Sequence, residues 1–427
     1  MKNFSLHVAG VVLLVGSTFC ASQINCTTGN WTIQNQPPVN CIPFAANGIF
    51  TKQLPGASSG GPMNHLFPNS DAIVSTTMGG LLGTFRLAGP NDYYDDILGE
   101  PIYYGRASDP VYRVTGCFYT TSNPATDPHN PIGKTFHIPD QARFSNSNDS
   151  FSFSDQFFVA WDQVSNEVLG VYCNASGCRS PSLPHCTAPD AVHACPAPAW
   201  RGCNQANWST DTAYQVKPGA TGALDVPGWA LVIRSNEWMS GTINHALHMN
   251  TGCEADGVVF PDLSGTAQLC ANQTNRPHEG NLVFVDYTDA QITSMNLPPW
   301  QKAIITALAH YGGYIGDTNG GSPGPINVSR FESNQAYKLA GITNPIYAWL
   351  ETQAGVIKQR SVVPGTFKYQ MDTFGNIPNL TGPTCVLPCG VVGHIHIADP
   401  CIPLGMAGLR GGCVLPAKPS HPRKARS

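Results

Sequence analysis

From about Leu81 the chain falls into short β-branched and aromatic runs separated by turn residues. Such runs predict strands. They are Leu82–Leu87, Ile102–Tyr104, Val111–Val114, Thr135–Ile138, Gln156–Trp161 and Glu167–Tyr172. Between the last two, Asp162 to Asn166 predicts a hairpin turn. Strands are expected again at Gly228–Ile233, Val258–Phe260 and Leu282–Val285. One segment has the helical period. Ile304, Ile305, Leu308 and Tyr311 recur at helical spacing, with Pro298-Pro299 before them and Gly312-Gly313 after. A second short helix is expected from Pro345 to about Thr352. The pattern predicts a predominantly all-β fold, a β-sandwich or jelly roll with one or two short helices and disulfide-stapled loops.

The ends of the chain lack this pattern. Lys2, an apolar stretch from about Val8 to Val15 and the small residues to Ala21 read as a secretory signal, placing the protein outside the cell. The expected organisation is a signal peptide at 1–21, an extended N-terminal segment at 22–65, and one β-rich domain at 66–413. Residues 173–227 form a Cys- and Pro-rich insertion in that domain, read as a disulfide-held loop, and 414–427 form a disordered basic tail.

Composition narrows the function. Charged residues make up 12 % of the 427, about half the usual share of roughly 25 %. The net charge of −4 lacks the footprint of a nucleic-acid binder. No nucleic-acid partner, no membrane anchor after signal removal and a monomer are expected. There are 15 cysteines, and removal of Cys20 with the signal leaves an even number, as disulfides in an oxidising compartment require. Close spacings suggest local staples: Cys26 with Cys41, Cys173 with Cys178, Cys186-Cys195-Cys203, Cys253 with Cys270, and Cys385-Cys389-Cys401-Cys413. Glycosylation sequons stand at Asn25, Asn30, Asn148, Asn174, Asn207, Asn272, Asn327 and Asn379.

Against so few charges, one segment stands out. Arg234, Glu237 and His245 fall within 12 positions, delivered by what reads as an apolar strand. Glu237 suits a general acid, His245 a base, and Arg234 a carboxylate clamp. A structural reading competes, in which Arg234 pairs Glu237 and His245 caps a short helix begun at Ser240-Gly241. Asp155 and Asp162 flank one strand, Asp286 ends another, and Asp317 follows the helix. Glu237 with Asp155 or Asp286 would make a glycosidase pair if their strands were neighbours; turn aspartates at strand ends look the same in sequence. Trp238 and Tyr314 are candidates for stacking on sugar rings, or core residues. His394 and His396 point the same way on a strand, but a pair alone is too few for a metal, so no metal or cofactor is expected. Serine-hydrolase, zincin and nucleotide-binding motifs are absent from the sequence.

The segments Gly228…Arg234…Glu237…Gly241-Thr242-Ile243-Asn244-His245-Ala246-Leu247 and Ala307-Leu308-Ala309-His310-Tyr311-Gly312-Gly313-Tyr314-Ile315-Gly316-Asp317 resemble a group of largely uncharacterised secreted microbial proteins. That group is similar to jelly-roll proteins and is associated with polysaccharide breakdown. Pro139 to Arg143, and Ser154-Asp155 followed by Asp162, resemble its earlier strands, so the likeness covers patches of residues 95–330. The insertion at 173–227 and the C-terminal cysteines depart from it. The resemblance carries no catalytic assignment; together with the candidate residues above it makes a secreted glycoside hydrolase or polysaccharide lyase acting on an extracellular polysaccharide the expected function. The expected catalytic residues are Glu237, His245, Asp155 and Asp286, and the expected substrate-binding residues are Arg234, Arg143, Trp238, Tyr314 and Asp317. The alternative is a non-catalytic glycan- or cell-wall-binding protein.

Overall fold

The computed structural model describes residues 30–41, 48–78, 84–88, 99–116, 134–142, 156–173, 185–186, 199–201, 203–209, 228–257, 259–261, 268–297, 299–318, 326–332, 335–345, 356–360, 367–372 and 394–402. The signal region, the tail and the expected helix beyond Pro345 lie outside them, as do Arg143 and Asp155. The described chain is sheet-rich, with a few short helices.

Two sheets carry or adjoin most of the candidate residues. The first has four strands: β1 (Ile102–Gly105), β2 (Gln156–Asp162), β3 (Glu167–Cys173) and β4 (Cys203–Ser209), in the order β4-β3-β2-β1. The expected hairpin joins β2 and β3, with Asp162 opposite Glu167 and Asn166 at positive φ in its turn. Asp162 is a turn carboxylate here. It accepts hydrogen bonds from the backbone N–H groups of Val164 and His137, at 2.8 and 2.9 Å. The insertion is not loop throughout: β4 lies within it and pairs with β3 along its length.

The second sheet has five strands: β5 (Leu247–Thr251), β6 (Leu282–Val285), β7 (Gly313–Thr318), β8 (Asn327–Ser329) and β9 (Ile395–Ala398), in the order β8-β5-β7-β6-β9. β5 and β7 are parallel, and β6 is antiparallel to both β7 and β9. Helix α4 (Pro299–His310) packs on β6 and buries Trp300, Ala303, Ile304, Ala307 and Leu308 at helical spacing, with Gln301, Ile305 and Ala309 buried beside them. Gly312 ends that helix at φ +73°; a Cβ there would lie 2.8 Å from the Val283 carbonyl oxygen.

Several segments differ from the sequence expectation, among them β5, β7 and β8, which the pattern does not predict. Gly228–Leu231 is a 3-10 turn, and Ser235–Ser240 is helix α2, so Arg234 is not delivered by a strand. Of the strand expected at Val258–Phe260, Val258 lies outside the described residues, Val259 is irregular and Phe260 lies in a turn with Pro261. Helix α1 (Ser70–Met78) has no counterpart among the expected elements; it buries Ser70, Ile73, Val74 and Thr77 on one face and packs on β9. The Ser70 hydroxyl accepts the Ile397 N–H at 2.8 Å.

Helix α3 (Asp289–Ser294) follows β6 and starts with a capping box. The Thr288 hydroxyl accepts the Gln291 N–H at 3.2 Å, and the Gln291 carboxamide accepts the Thr288 N–H at 2.8 Å. Thr288→Ala is therefore expected to destabilise the protein by about 1 kcal/mol, read as a lowered midpoint in chemical unfolding; an unchanged midpoint would show that the cap contributes nothing.

The expected pairing of Cys253 with Cys270 is present as a disulfide across 17 residues. Cys41 is also disulfide-bonded. Among the described residues no helix is long and apolar enough to cross a membrane.

Candidate functional site

Arg234, Glu237 and His245 do meet, but in the interior. Arg234 is the N-cap of α2, and Glu237 at N3 reaches back to accept the Arg234 N–H at 2.9 Å. The Arg234 guanidinium donates to the other Glu237 oxygen at 2.7 Å. His245, beyond the Gly241 turn that ends α2, sets Nε2 3.2 Å from Glu237 Oε2 and Nδ1 2.7 Å from the Ala246 carbonyl oxygen. The three residues are only 4 %, 0 % and 2 % exposed.

Residues 31–41 form the cover. The Arg234 guanidinium donates to the carbonyls of Cys41 at 3.1 Å and Val39 at 3.2 Å. The Asn236 amide donates to the Pro37 carbonyl. Gln36 donates to Glu332 at 2.9 Å, and Glu332 also accepts the Ser235 N–H at the start of α2, at 2.8 Å. Trp31 and Gln163 exchange two further hydrogen bonds. Burial pushes the Glu237 carboxyl upward, but the Arg234 charge and His245 overcome this and hold it down at about 2. An ionised, saturated and sealed carboxylate has no proton to give. Glu237 as general acid, His245 as base and Arg234 as substrate clamp are corrected accordingly. Their hydrogen bonds are spent joining α2 to the N-terminal segment.

The aromatic expectations change for the same reason. Trp238 stacks on Trp300 with ring centroids 5.0 Å apart and meets the edge of Phe331. Tyr314 packs edge-on to Phe50 and donates to the Ile49 carbonyl at 3.3 Å. Both rings lie in the core, so neither presents a face to a sugar. Asp317 is half-buried on β7 opposite Asn250 of β5 and accepts the Thr318 N–H at 2.7 Å.

Asp286 is different. It follows the last residue of β6, next to the edge strand β9, whose residues Ile395 to Ala398 pair with Val285 to Leu282. That pairing brings His394 and His396 onto its carboxylate. His394 Nδ1 lies 2.5 Å from Asp286 Oδ1, and the Asp286 N–H donates to the His394 carbonyl at 3.1 Å. His396 Nε2 lies 3.2 Å from Oδ2, off the direct hydrogen-bond line. The side chains of His394, Asp286 and His396 are 33 %, 22 % and 8 % exposed. Tyr287 packs its ring against His394 at 4.2 Å, and Phe284 lies 5.4 Å from His396. Asp71 of α1, 88 % exposed, is 3.8 Å from the far nitrogen of His396.

The electrostatics follow from this geometry. Partial burial pushes the Asp286 carboxyl up, but the two imidazoles beside it, His394 first through its hydrogen bond, hold it well below the usual carboxylate range. Burial, and then the Asp286 charge, push the Tyr287 phenol well above its usual range. Each Asp286 oxygen faces a different ring, so the donors point at one another and not at a common centre. Among the described residues no group of three or more His, Cys, Asp or Glu side chains is arranged to hold a metal ion.

The sequence singles out Asp286, with Tyr287 next to it at a strand end, and, separately, the two histidines. It does not show that they meet, and it gives no sign of Asp71 beside them. No family model, curated protein or solved structure matches the chain.

Proposed function

We propose that this is a secreted carbohydrate-active enzyme, a polysaccharide lyase, with His394 as its base and Asp286 as the residue that orients it. The half-open Asp286–His394 pair is the observation that carries the reading. A carboxylate accepting from Nδ1–H leaves Nε2 as the basic nitrogen of the imidazole, and His394 is the more exposed of the two imidazoles, 33 % against 8 %. In β-elimination, Nε2 takes the proton from the carbon beside a uronate carboxylate. The C–H electron pair forms the new double bond, and the glycosidic C–O bond breaks with its electrons going to the leaving oxygen, which then takes a proton. Asp286 stabilises the imidazolium formed on His394.

A hydrolase needs two carboxyl groups about 5–9.5 Å apart with a sugar or water between them. Glu237 is sealed among Arg234 and His245, and Asp286 holds two histidines, so the lyase is the better supported of the two. Arg143 is the remaining candidate to neutralise the uronate carboxylate. The jelly-roll or sandwich arrangement and the extracellular location belong to this same reading, supported by the resemblance of the Gly228–Leu247 and Ala307–Asp317 segments and by the Cys253–Cys270 disulfide.

The purified chain is to be tested on a broad panel of polysaccharides. Product absorbing near the ultraviolet edge is expected; reducing ends without that absorbance would mean a hydrolase, and neither would defeat the enzyme. The burial of Arg234, Glu237 and His245 favours a second reading, a non-catalytic glycan-binding protein. Glycan-array binding without turnover, unchanged by His394→Ala, would establish it.

A further inference from the structure

The glycosylation sequons are not equivalent in the folded chain. Those at Asn25, Asn148, Asn174 and Asn379 lie outside the described residues. Asn207 and Asn327 stand within strands, the first on β4 opposite Leu169 of β3, the second on β8 opposite Asn250 of β5. Asn30 is exposed, but the rest of its sequon is tied down. The Trp31 backbone exchanges two hydrogen bonds with the Gln163 side chain, and the hydroxyl of half-buried Thr32 accepts the Asn35 N–H at 3.0 Å. Asn272-Gln273-Thr274 is exposed at all three positions. Its loop is closed at the base by the Cys253–Cys270 disulfide. Glu254 closes it again, donating its N–H to the Gln268 carbonyl at 3.0 Å and accepting the Cys270 N–H at 2.8 Å. Gln273 fastens the middle: its side-chain oxygen accepts the Asp256 N–H at 3.1 Å, and its carbonyl accepts the Arg276 N–H at 3.3 Å. The Asn272 side-chain oxygen accepts the Thr274 N–H at 3.0 Å. That turn uses only the oxygen of the amide and brings the first and third residues of the sequon together. The nitrogen, Nδ2, is the atom a glycan joins.

We propose that Asn272 is a site of N-linked glycosylation, taking its oligosaccharide from a polyprenyl diphosphate donor. Nδ2 bonds to C1 of the first sugar while the C1–O bond breaks with its electrons going to the diphosphate. The amide gives one proton to a base of the transferase. An oligosaccharide is bulky and hydrated, so its asparagine has to stay in solvent once the chain has folded. The loop at 271–274 meets that demand, and its closed base presents the acceptor in one fixed shape. The inference rests on the extracellular reading, but it needs neither the lyase nor any other activity.

The test expresses the full chain, with its own signal region, in yeast and collects it from the medium. Glycans are removed by a glycan amidase in heavy-oxygen water, which turns each asparagine that carried one into a labelled aspartate, and the peptides are read by mass spectrometry. Label at Asn272 is expected in most molecules, kept in Thr274→Ser and lost in Thr274→Ala, since the third residue of a sequon has to carry a hydroxyl. An unlabelled Asn272 peptide from exported protein would overturn the proposal. Label that persists in Thr274→Ala would overturn it equally, because it would come from chemical deamidation. Should the chain stay inside the cell, a host leader in place of residues 1–21 exports it. Retention then counts against the extracellular reading, and the label still decides Asn272.

Discussion

Replacing Arg234 by alanine is expected to cost about 3–5 kcal/mol of folding stability, the scale for removing one partner of a buried ion pair. Three losses coincide. Glu237, wholly buried, loses the cation that compensates it. The carbonyls of Val39 and Cys41 lose their donor, the second of them in a fully buried place. The stretch from 31 to 41 loses this tie; among the described residues it still has the contacts of Gln36, the Asn236 contact and the Trp31–Gln163 exchange. Chemical unfolding measures the first effect, and hydrogen exchange at the amides of 31–41 measures the third. Arg234→Lys keeps the charge, but one ammonium cannot reproduce the planar fork that reaches Glu237 and two carbonyls together, so an intermediate loss is expected. A midpoint for the alanine variant equal to wild type would show that the buried pair contributes no net stability.

The pH dependence of this brace has a definite sign. The Glu237 carboxyl is held at about 2 in the fold, below the roughly 4.3 of an unfolded glutamate. The folded state therefore releases that proton more readily. The stabilisation is present above the unfolded value and is lost as pH falls from there towards 2. Asp286, also held low, adds a contribution of the same sign.

Local pattern makes some of this visible in the sequence, and long-range packing hides the rest. The β2–β3 hairpin and α4 are legible because their signals are local: β-branched runs around a polar turn, and a helical period between prolines and glycines. Gly228–Ile233 misleads because a short apolar run does not distinguish a strand from a buried turn. β7 is obscured by its glycines. Yet Gly313 stands where a Cβ would come within 2.7 Å of Met249, so the close approach of β5 requires the residue that weakens the strand signal. The α3 capping box, Thr288 with Gln291, is a sequence signal too, but a short one that stands out only once the helix is known.

The site divides along the same line. Spacing shows that Arg234 and Glu237 can pair, since both lie within one helical turn. Whether water reaches them depends on residues 31–41, nearly two hundred positions away, which no local pattern reports. Asp286 and His394 are 108 positions apart. The sequence shows that the two histidines share a face; only the antiparallel pairing of β6 with β9 shows that Asp286 is what they face.

That pairing gives His394 the second large expected effect. If it is the base, His394→Ala should lower turnover by about 10²–10⁴-fold, the range for a positioned proton acceptor. The fall should lie in kcat with KM nearly unchanged, because proton abstraction is felt in the transition state and not in binding. The ring is one-third exposed and lies at a sheet edge, so removing it should lower the unfolding midpoint far less than the Arg234 variant does, by no more than its contact with Asp286 contributes. Asp286→Asn should reproduce part of the loss, since an amide presents either an oxygen or an NH₂ group to Nδ1 and no longer fixes which nitrogen is basic. A His394→Ala protein that keeps half or more of wild-type turnover would remove the ring from the chemistry and leave Asp286, His394 and His396 as a hydrogen-bonded edge of the sheet.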